Sequence, residues 1–245
     1  MAKIAQETWE VDGKSLPVFI YKERRSNNRI SITKRGVHIR IPSRLRITGD
    51  TSWRSWAHQW LSAQLIKRPD IAERYDTKKY MEGYEVHTPY KTYSLQISTS
   101  PRSTSKGKLI GEVLRLELNQ DLTEAYRVKT IRTLMSRLIA KDQLHRVTHR
   151  IHEINEHYFK LPIKDVRIKN NSSNWGSCSS SGNINISIKT LLAPFIVQDY
   201  IFVHELAHRI EMNHSSAYWA IVKRVMPSYE EQERWLKENG HMCEL

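Results

Sequence analysis

Apolar and polar positions along the chain fall first into short alternating runs and later into long helical ones. Val18 to Tyr21, Arg29 to Thr33 and Val37 to Ile41 alternate every second residue and read as strands, joined by turns at Ser26-Asn27-Asn28 and Arg35-Gly36. Behind them Trp53, Trp56-Ala57, Trp60-Leu61 and Leu65 recur at helical spacing, between the capping oxygens of Asp50-Thr51-Ser52 and the stop at Pro69. A tryptophan stripe of this kind is expected to pack as core rather than to serve as a platform for bases. Tyr93 to Ile97 and Val113 to Leu118 suggest a hairpin across the loop Ser98 to Gly107. From Leu122 to about Tyr158 no proline or glycine interrupts the periodicity of Val128, Ile131, Leu134-Met135, Leu138-Ile139, Val147, Ile151 and Ile154, which predicts one long backing helix. Val166 to Lys169 and Asn183 to Ser187 alternate like strands on either side of Trp175 to Ser181. After Pro194, a broad apolar surface from Phe195 through Tyr200, Val203 and Leu206 to Ile210 predicts a buried helix.

That buried helix also carries His204, Glu205, His208 and Glu211, and ionisable groups in so apolar a setting are costly unless engaged. Residues four apart on a helix differ by only about 40° of rotation, so His204 and His208 project from one face. Two imidazoles placed this way suit one zinc ion, and Glu205 beside them suits a general base acting on water. His214 lies six residues beyond His208. If the helix stops at Met212-Asn213, with Asn213 in a left-handed turn, His214 returns as a third ligand and leaves a fourth position open. Ser215 then caps the next helix, Ala217 to about Met226. Three imidazoles fit zinc best and also accept nickel, cobalt or copper. His145, His149 and His152 share a face of the long helix too, but with Arg146 and Arg150 adjacent and no carboxylate at ligand spacing they read as a basic surface.

Trp175-Gly176-Ser177-Cys178-Ser179, Leu191-Leu192-Ala193-Pro194, Tyr200, the His204 to His208 motif and Asn213-His214-Ser215 with Trp219 together resemble the YgjP-like metallopeptidase domain family, itself related to the SprT-like and WLM zinc peptidases. Upstream, Arg24-Arg25-Ser26, Arg29 to Ile32 and Val37 to Pro42 resemble that family's basic lead-in. The resemblance implies an α+β fold: a zincin-like domain over 121–245, with active-site helix, backing helix and small sheet, after a basic β-rich module over 1–120 holding one tryptophan-rich helix. It implies a zinc-dependent peptidase with the ion on His204, His208 and His214, Glu205 as base, and Asn174, Trp175, Gly176, Ser177 and Cys178 as candidate substrate-binding residues. Relatives carry basic residues just before the Trp-Gly-Ser-Cys segment. This chain has Ser172, Ser173 and Asn174 there, so a cationic contact falls to Asn174, Arg167 or Lys169 or is lost.

Composition narrows the setting. Seven Trp and eleven Tyr in 245 residues indicate a folded protein, and no apolar run reaches the roughly 20 residues a bilayer requires. Met1 to Glu10 lacks the apolar stretch of a secretory leader, and two cysteines, Cys178 and Cys243, suit a reducing compartment, so a cytoplasmic enzyme without membrane attachment is expected. Cys178 reads as a small buried strand residue rather than a ligand. The net charge of +13 is concentrated early: residues 21–46 hold nine basic side chains, Lys22, Arg24, Arg25, Arg29, Lys34, Arg35, Arg40, Arg44 and Arg46, against Glu23 alone. A solvated sheet face explains that density, and a nucleotide or nucleic-acid partner is the competing reading. The leading function is therefore a zinc peptidase acting on peptide or protein, with an exposed strand edge to receive extended chain. Its alternatives are a metal-dependent nucleoside-triphosphate pyrophosphohydrolase and a nucleic-acid-associated protein with a regulatory or vestigial peptidase site.

Overall fold

The computed structural model describes residues 2–33, 36–45, 52–68, 71, 80–171 and 173–245, apart from the side chains of residues 2, 3 and 125. Lys34, Arg35, Arg46, Asp50, Thr51, Pro69 and Ser172, named above, lie outside the described residues. The chain is α+β and divides into two compact units, 1–78 and 79–245. No helix among the described residues is long and apolar enough to cross a membrane.

Among its described residues the first unit is built on one four-stranded sheet and a 16-residue helix. Strands β1 (Ala2–Val11), β2 (Lys14–Glu23), β3 (Arg29–Thr33) and β4 (Gly36–Pro42) lie in the order β1-β2-β4-β3, and helix α1 (Ser52–Lys67) follows. The middle pair, β2 and β4, is parallel and the outer pairs are antiparallel. Strand β1 was not legible in the sequence. It forms because Asp12 and Gly13, at φ 52° and 74°, close a two-residue hairpin whose twist matches the strands. Alternation then sends Leu16, Val18, Ile20, Val37, Ile39 and Ile41 to one face, all fully buried against Trp53, Ala57 and Leu61 of α1. The buried row on α1 steps by four, which corrects the expected stripe: Trp53 is core, Trp60 is half-buried and Trp56 is exposed.

In the second unit, β5 (Glu85–His87), β6 (Thr92–Ser100), β7 (Lys106–Ile110) and β8 (Val113–Asn119) form a sheet in the order β5-β6-β8-β7. The expected β6/β8 hairpin is not what forms. Those strands run parallel, and β8 instead pairs as a hairpin with β7, across Gly111 at φ 60° and Glu112. Short turns select hairpins, and Gly107, expected in a loop, belongs to a strand. The unit boundary falls at 78 rather than 120 because Tyr93, Leu95, Leu114, Leu116 and Leu118 share one core with Ile131, Met135 and Ile139 of the long helix α2 (Glu124–Ile154). A π-helical turn, Asn155–Phe159, extends α2, and the Asn155 side chain ends it by bonding both the N–H and the carbonyl of Leu161.

The two four-stranded sheets repeat one plan. Each pairs antiparallel, parallel, antiparallel across its four strands. Register repeats as well. Thr8/Pro17, Val18/Val37 and Arg29/Arg40 are partners in one, and Glu85/Ser94, Leu95/Leu114 and Lys106/Glu117, each residue 77 positions later, are partners in the other.

The rest of the second unit frames the site. Strands β9 (Asp165–Lys169), β10 (Gly176–Cys178) and β11 (Asn183–Ser187) make a sheet in the order β10-β11-β9, and a 3₁₀ turn over Ile188–Leu192 leads to α3 (Phe195–Ala207). Helices α4 (Ser216–Val225) and α5 (Tyr229–Asn239) complete the chain.

Candidate metal centre

Helix α3 is held where its sequence says it should be. Val197, Ile201, Phe202, Val203, Leu206 and Ala207 are buried in the large core, and the Arg150 guanidinium on α2 grips Asp199 through two bonds of 2.9 and 2.7 Å. His204 and Glu205 therefore ride on a helix fixed on several sides. The helix ends at Ala207, earlier than expected, and His208 stays right-handed at φ −63° as the chain turns through Ile210. Asn213 is not left-handed. Its N–H bonds the Glu211 carboxylate at 3.2 Å and its carbonyl accepts from Ser215 at 2.7 Å. The reversal is made by side-chain and local backbone bonds, and Ser215 caps α4 as predicted by accepting from the Tyr218 N–H.

This path brings the three histidines together. One ring nitrogen from each of His204, His208 and His214 lies within 4.8 Å of the others, the one such triad of metal-binding side chains among the described residues. His204 Nε2 and His214 Nε2 are 3.2 Å apart. His208 Nδ1 donates to the Glu211 carbonyl at 3.3 Å, which fixes its tautomer and leaves Nε2 with a lone pair. Tyr218 was missed by the sequence reading. Its hydroxyl donates to the His204 carbonyl at 3.0 Å and its ring sits 4.7 Å from both His208 and His214, so it packs the cluster from the α4 side. The signal was present in the position, four residues after His214 at the start of a capped helix.

Burial sets the electrostatics. Removal from solvent, with smaller contributions from the neighbouring imidazoles, pushes His204 down to about 3, and burial also lowers His208. Both are neutral at physiological pH, the form that binds metals. Glu205 is 5 % exposed, and its carboxyl is pushed up to about 8 by desolvation. It lies directly on β10: a methyl on Gly176 would sit 2.8 Å from both Cγ and Cδ of Glu205, so any larger residue there must displace that side chain.

The remaining segment residues have structural partners. Asn174 donates to the Gly176 carbonyl at 2.8 Å, and the Ser177 hydroxyl accepts from Asn185 at 3.2 Å. The Trp175 ring lies under Lys189 Nζ at 4.6 Å and against Gly240, while its carbonyl accepts from Ser187 and Thr190. Cys178 is half-buried and its thiol is pushed up to about 11 by burial and then by Glu205, as befits an inert strand residue. Arg209, also missed, donates to the carbonyls of Ser179, Ser180 and Pro162 and ties the turn after β10 to the end of α3. Arg167 is engaged by Asp165 at 2.6 Å. His145 and His149 stack on each other on the exposed side of α2, apart from the triad.

Comparison with known proteins adds a family assignment. A family model described as YgjP-like, metallopeptidase domain, matches residues 26–239. A solved structure, the metallopeptidase zymogen of Pyrococcus abyssi abylysin, is 24% identical over 38% of this chain and 94% of that chain, with a TM-score of 0.35. No curated protein matches.

Proposed function

The chain belongs to the YgjP-like metallopeptidase domain family, and from that premise we propose that it is a zinc-dependent peptidase of zincin type, with His204, His208 and His214 holding the ion and Glu205 as general base. The observation that carries this reading is the convergence of three imidazole nitrogens beside a buried carboxylate. The donor set fits the metal. Two nitrogens each about 2.0–2.1 Å from one tetrahedral ion stand roughly 3.3 Å apart, close to the 3.2 Å between His204 and His214. Bound zinc supplies Lewis acidity toward the scissile carbonyl and toward water.

The chain's own groups do the rest. With the charge of a bound ion favouring its ionised form against the burial that raises it, Glu205 would take a proton from the attacking water at a carboxylate oxygen and deliver it to the departing amine, so one buried group serves both halves of the reaction. Its site against Gly176 keeps that carboxylate at the β10 edge. Strand β10 has β11 on one side and no ladder partner on the other among the described residues, which suits an extended peptide docking by main-chain bonds. Binding of that kind reads backbone rather than side chains and favours unfolded substrates. The nucleotide-phosphohydrolase alternative lacks a comparable observation, because Arg209, the sole cation between 204 and 214, is committed to backbone carbonyls. Cleavage of an unfolded protein by zinc-loaded wild type, lost in both Glu205→Gln and His204→Ala, is the expected result. Undiminished cleavage by Glu205→Gln contradicts the assignment.

A further inference from the structure

The histidine cluster lacks most of the hydrogen bonds that ordinarily aim metal ligands. A histidine that holds an ion usually donates its other ring N–H to a carbonyl or carboxylate, and that bond fixes the ring plane. His208 does so through the Glu211 carbonyl. His204 and His214 face each other through Nε2, and each leaves its Nδ1 without a hydrogen-bond partner among the described residues; on His204 that nitrogen is buried. His214 is also exposed and lies outside any helix, on the turn between α3 and α4.

Rings take over the task. Tyr218 and Trp219, successive residues of α4, meet at 87° with centroids 5.1 Å apart and so form a right-angled corner. The His214 ring lies in that corner, 5.7 Å from Trp219 and tilted 32° from its plane, and 4.7 Å from Tyr218 at 71°. A face on one side and an edge on the other leave a planar ring few orientations. Trp219 is backed in turn. Tyr229, the first residue of α5, stacks on it at 5.1 Å and 17°, and Tyr200 of α3 stacks on Tyr229 at 6.4 Å and 17°. Tyr200 stands one turn before His204 and meets that ring at 5.9 Å and 66°.

The rings thus run from the first ligand, His204, through Tyr200, Tyr229 and Trp219 to the third, His214. A stack that served the core alone would end in the core. This one passes from buried Tyr200 through partly buried Tyr229 and Trp219 to an exposed imidazole. Helix α3 carries His204 and leads straight into His208, whereas His214 comes from a separate segment whose ordering counts against metal binding unless it is already in place. We infer that Trp219, backed by Tyr229 and Tyr200, is the positioning residue for that third ligand: it holds the His214 ring in the plane ligation requires and so sets how tightly the centre retains its ion. This inference rests on the zinc reading above. Trp219 acts through His214 and touches no reacting atom.

The test is a double-mutant cycle read as zinc affinity, by competition with a chromophoric chelator on the full-length protein. Trp219→Leu is expected to weaken zinc binding by about 10- to 100-fold, and Trp219→Phe, which keeps a ring against His214, by less than about threefold. In a His214→Ala background the same Trp219→Leu change should alter affinity by less than about twofold, because its route to the ion is gone. Cobalt supplies a second readout: at saturating metal, the visible absorption of Trp219→Leu should match that of His214→Ala rather than wild type. If Trp219→Leu does not fold, Tyr229→Leu withdraws the support behind the indole and should loosen zinc by roughly three- to tenfold, again only where His214 is present. Zinc held by the leucine variant as by wild type, or lost equally in both backgrounds, overturns the inference and leaves the zinc reading standing. A wild type that binds no zinc removes both.

Discussion

The two four-stranded sheets agree in strand order, direction and register and disagree in almost everything built on them. In the first, the sheet is covered by a 16-residue helix and its second face is aromatic and basic. In the second, a 31-residue helix covers the sheet and goes on to brace α3, while the second face is polar. The buried parity of a strand fixes how it pairs and packs, and the alternate positions are left free for other work. The first sheet carries Phe19, Tyr21 and His38 at those positions, and the helix over the second runs on to hold Asp199 of α3.

The largest expected difference lies in activity. Glu205→Gln should lower peptide cleavage by roughly 10²- to 10⁴-fold and leave the unfolding transition of residues 1–78 unmoved, as measured by single-substrate kinetics beside urea unfolding. Next come the matched core positions. Ile39→Ala and Leu116→Ala delete counterpart side chains, each essentially buried, and each should cost about 2–5 kcal/mol in urea unfolding. If the comparison holds, the first lowers the transition of residues 1–78 and the second that of 79–245; equal effects of either variant on both transitions would break it.

Two glycines sharpen the contrast further. Gly36→Ala meets the Pro17 carbonyl at 2.5 Å at a φ of +142°, so it should destabilise the first unit by about 1–3 kcal/mol and leave cleavage alone. Gly176→Ala displaces the Glu205 carboxylate and should cut kcat by about 10- to 100-fold with a smaller effect on the melting midpoint. The smallest effect concerns pH. Hydrogen bonds from Arg54 hold the Glu7 carboxyl down from 4.5 to about 2. A depressed carboxyl contributes stability that is complete above its unfolded value and is lost as pH falls from about 4.5 through about 2. The pair is partly exposed, so the contribution is about 1 kcal/mol or less, and Glu7→Gln should flatten the acid limb of the first unit's stability by that amount.

What was legible in the sequence follows the same division. Strands β2 to β4, α1, α2, β9, β11 and α3 announced themselves through strict periodicity, and the histidine triad through spacing that only a helix and a return turn satisfy. The repeat did not. Between 14–42 and 91–119 the copies are identical only at Lys14/Lys91, Ile20/Ile97, Arg25/Arg102 and Ser26/Ser103, because the fold keeps apolar parity and discards identity. Strand β1 depends on the Asp12-Gly13 turn and on pairing with β2 more than on its own pattern. The expected β6/β8 hairpin gives way because Lys106–Ile110, partly inside the expected loop, is itself a strand, and α3 ends early because Glu211 and Ser215 satisfy the reversal without a left-handed Asn213. Tyr218 and Gly176 act through packing against the histidines and Glu205, a three-dimensional fact that no spacing rule contains.

Elemental analysis of purified full-length protein addresses the proposed centre most directly. Wild type and Glu205→Gln should each carry about one zinc per chain, and His204→Ala, His208→Ala and His214→Ala should each lose most of it, because catalytic zinc rests on three protein ligands. Full zinc retention by any of the three histidine variants, or loss of zinc in Glu205→Gln, would contradict the division of roles between the triad and the buried carboxylate.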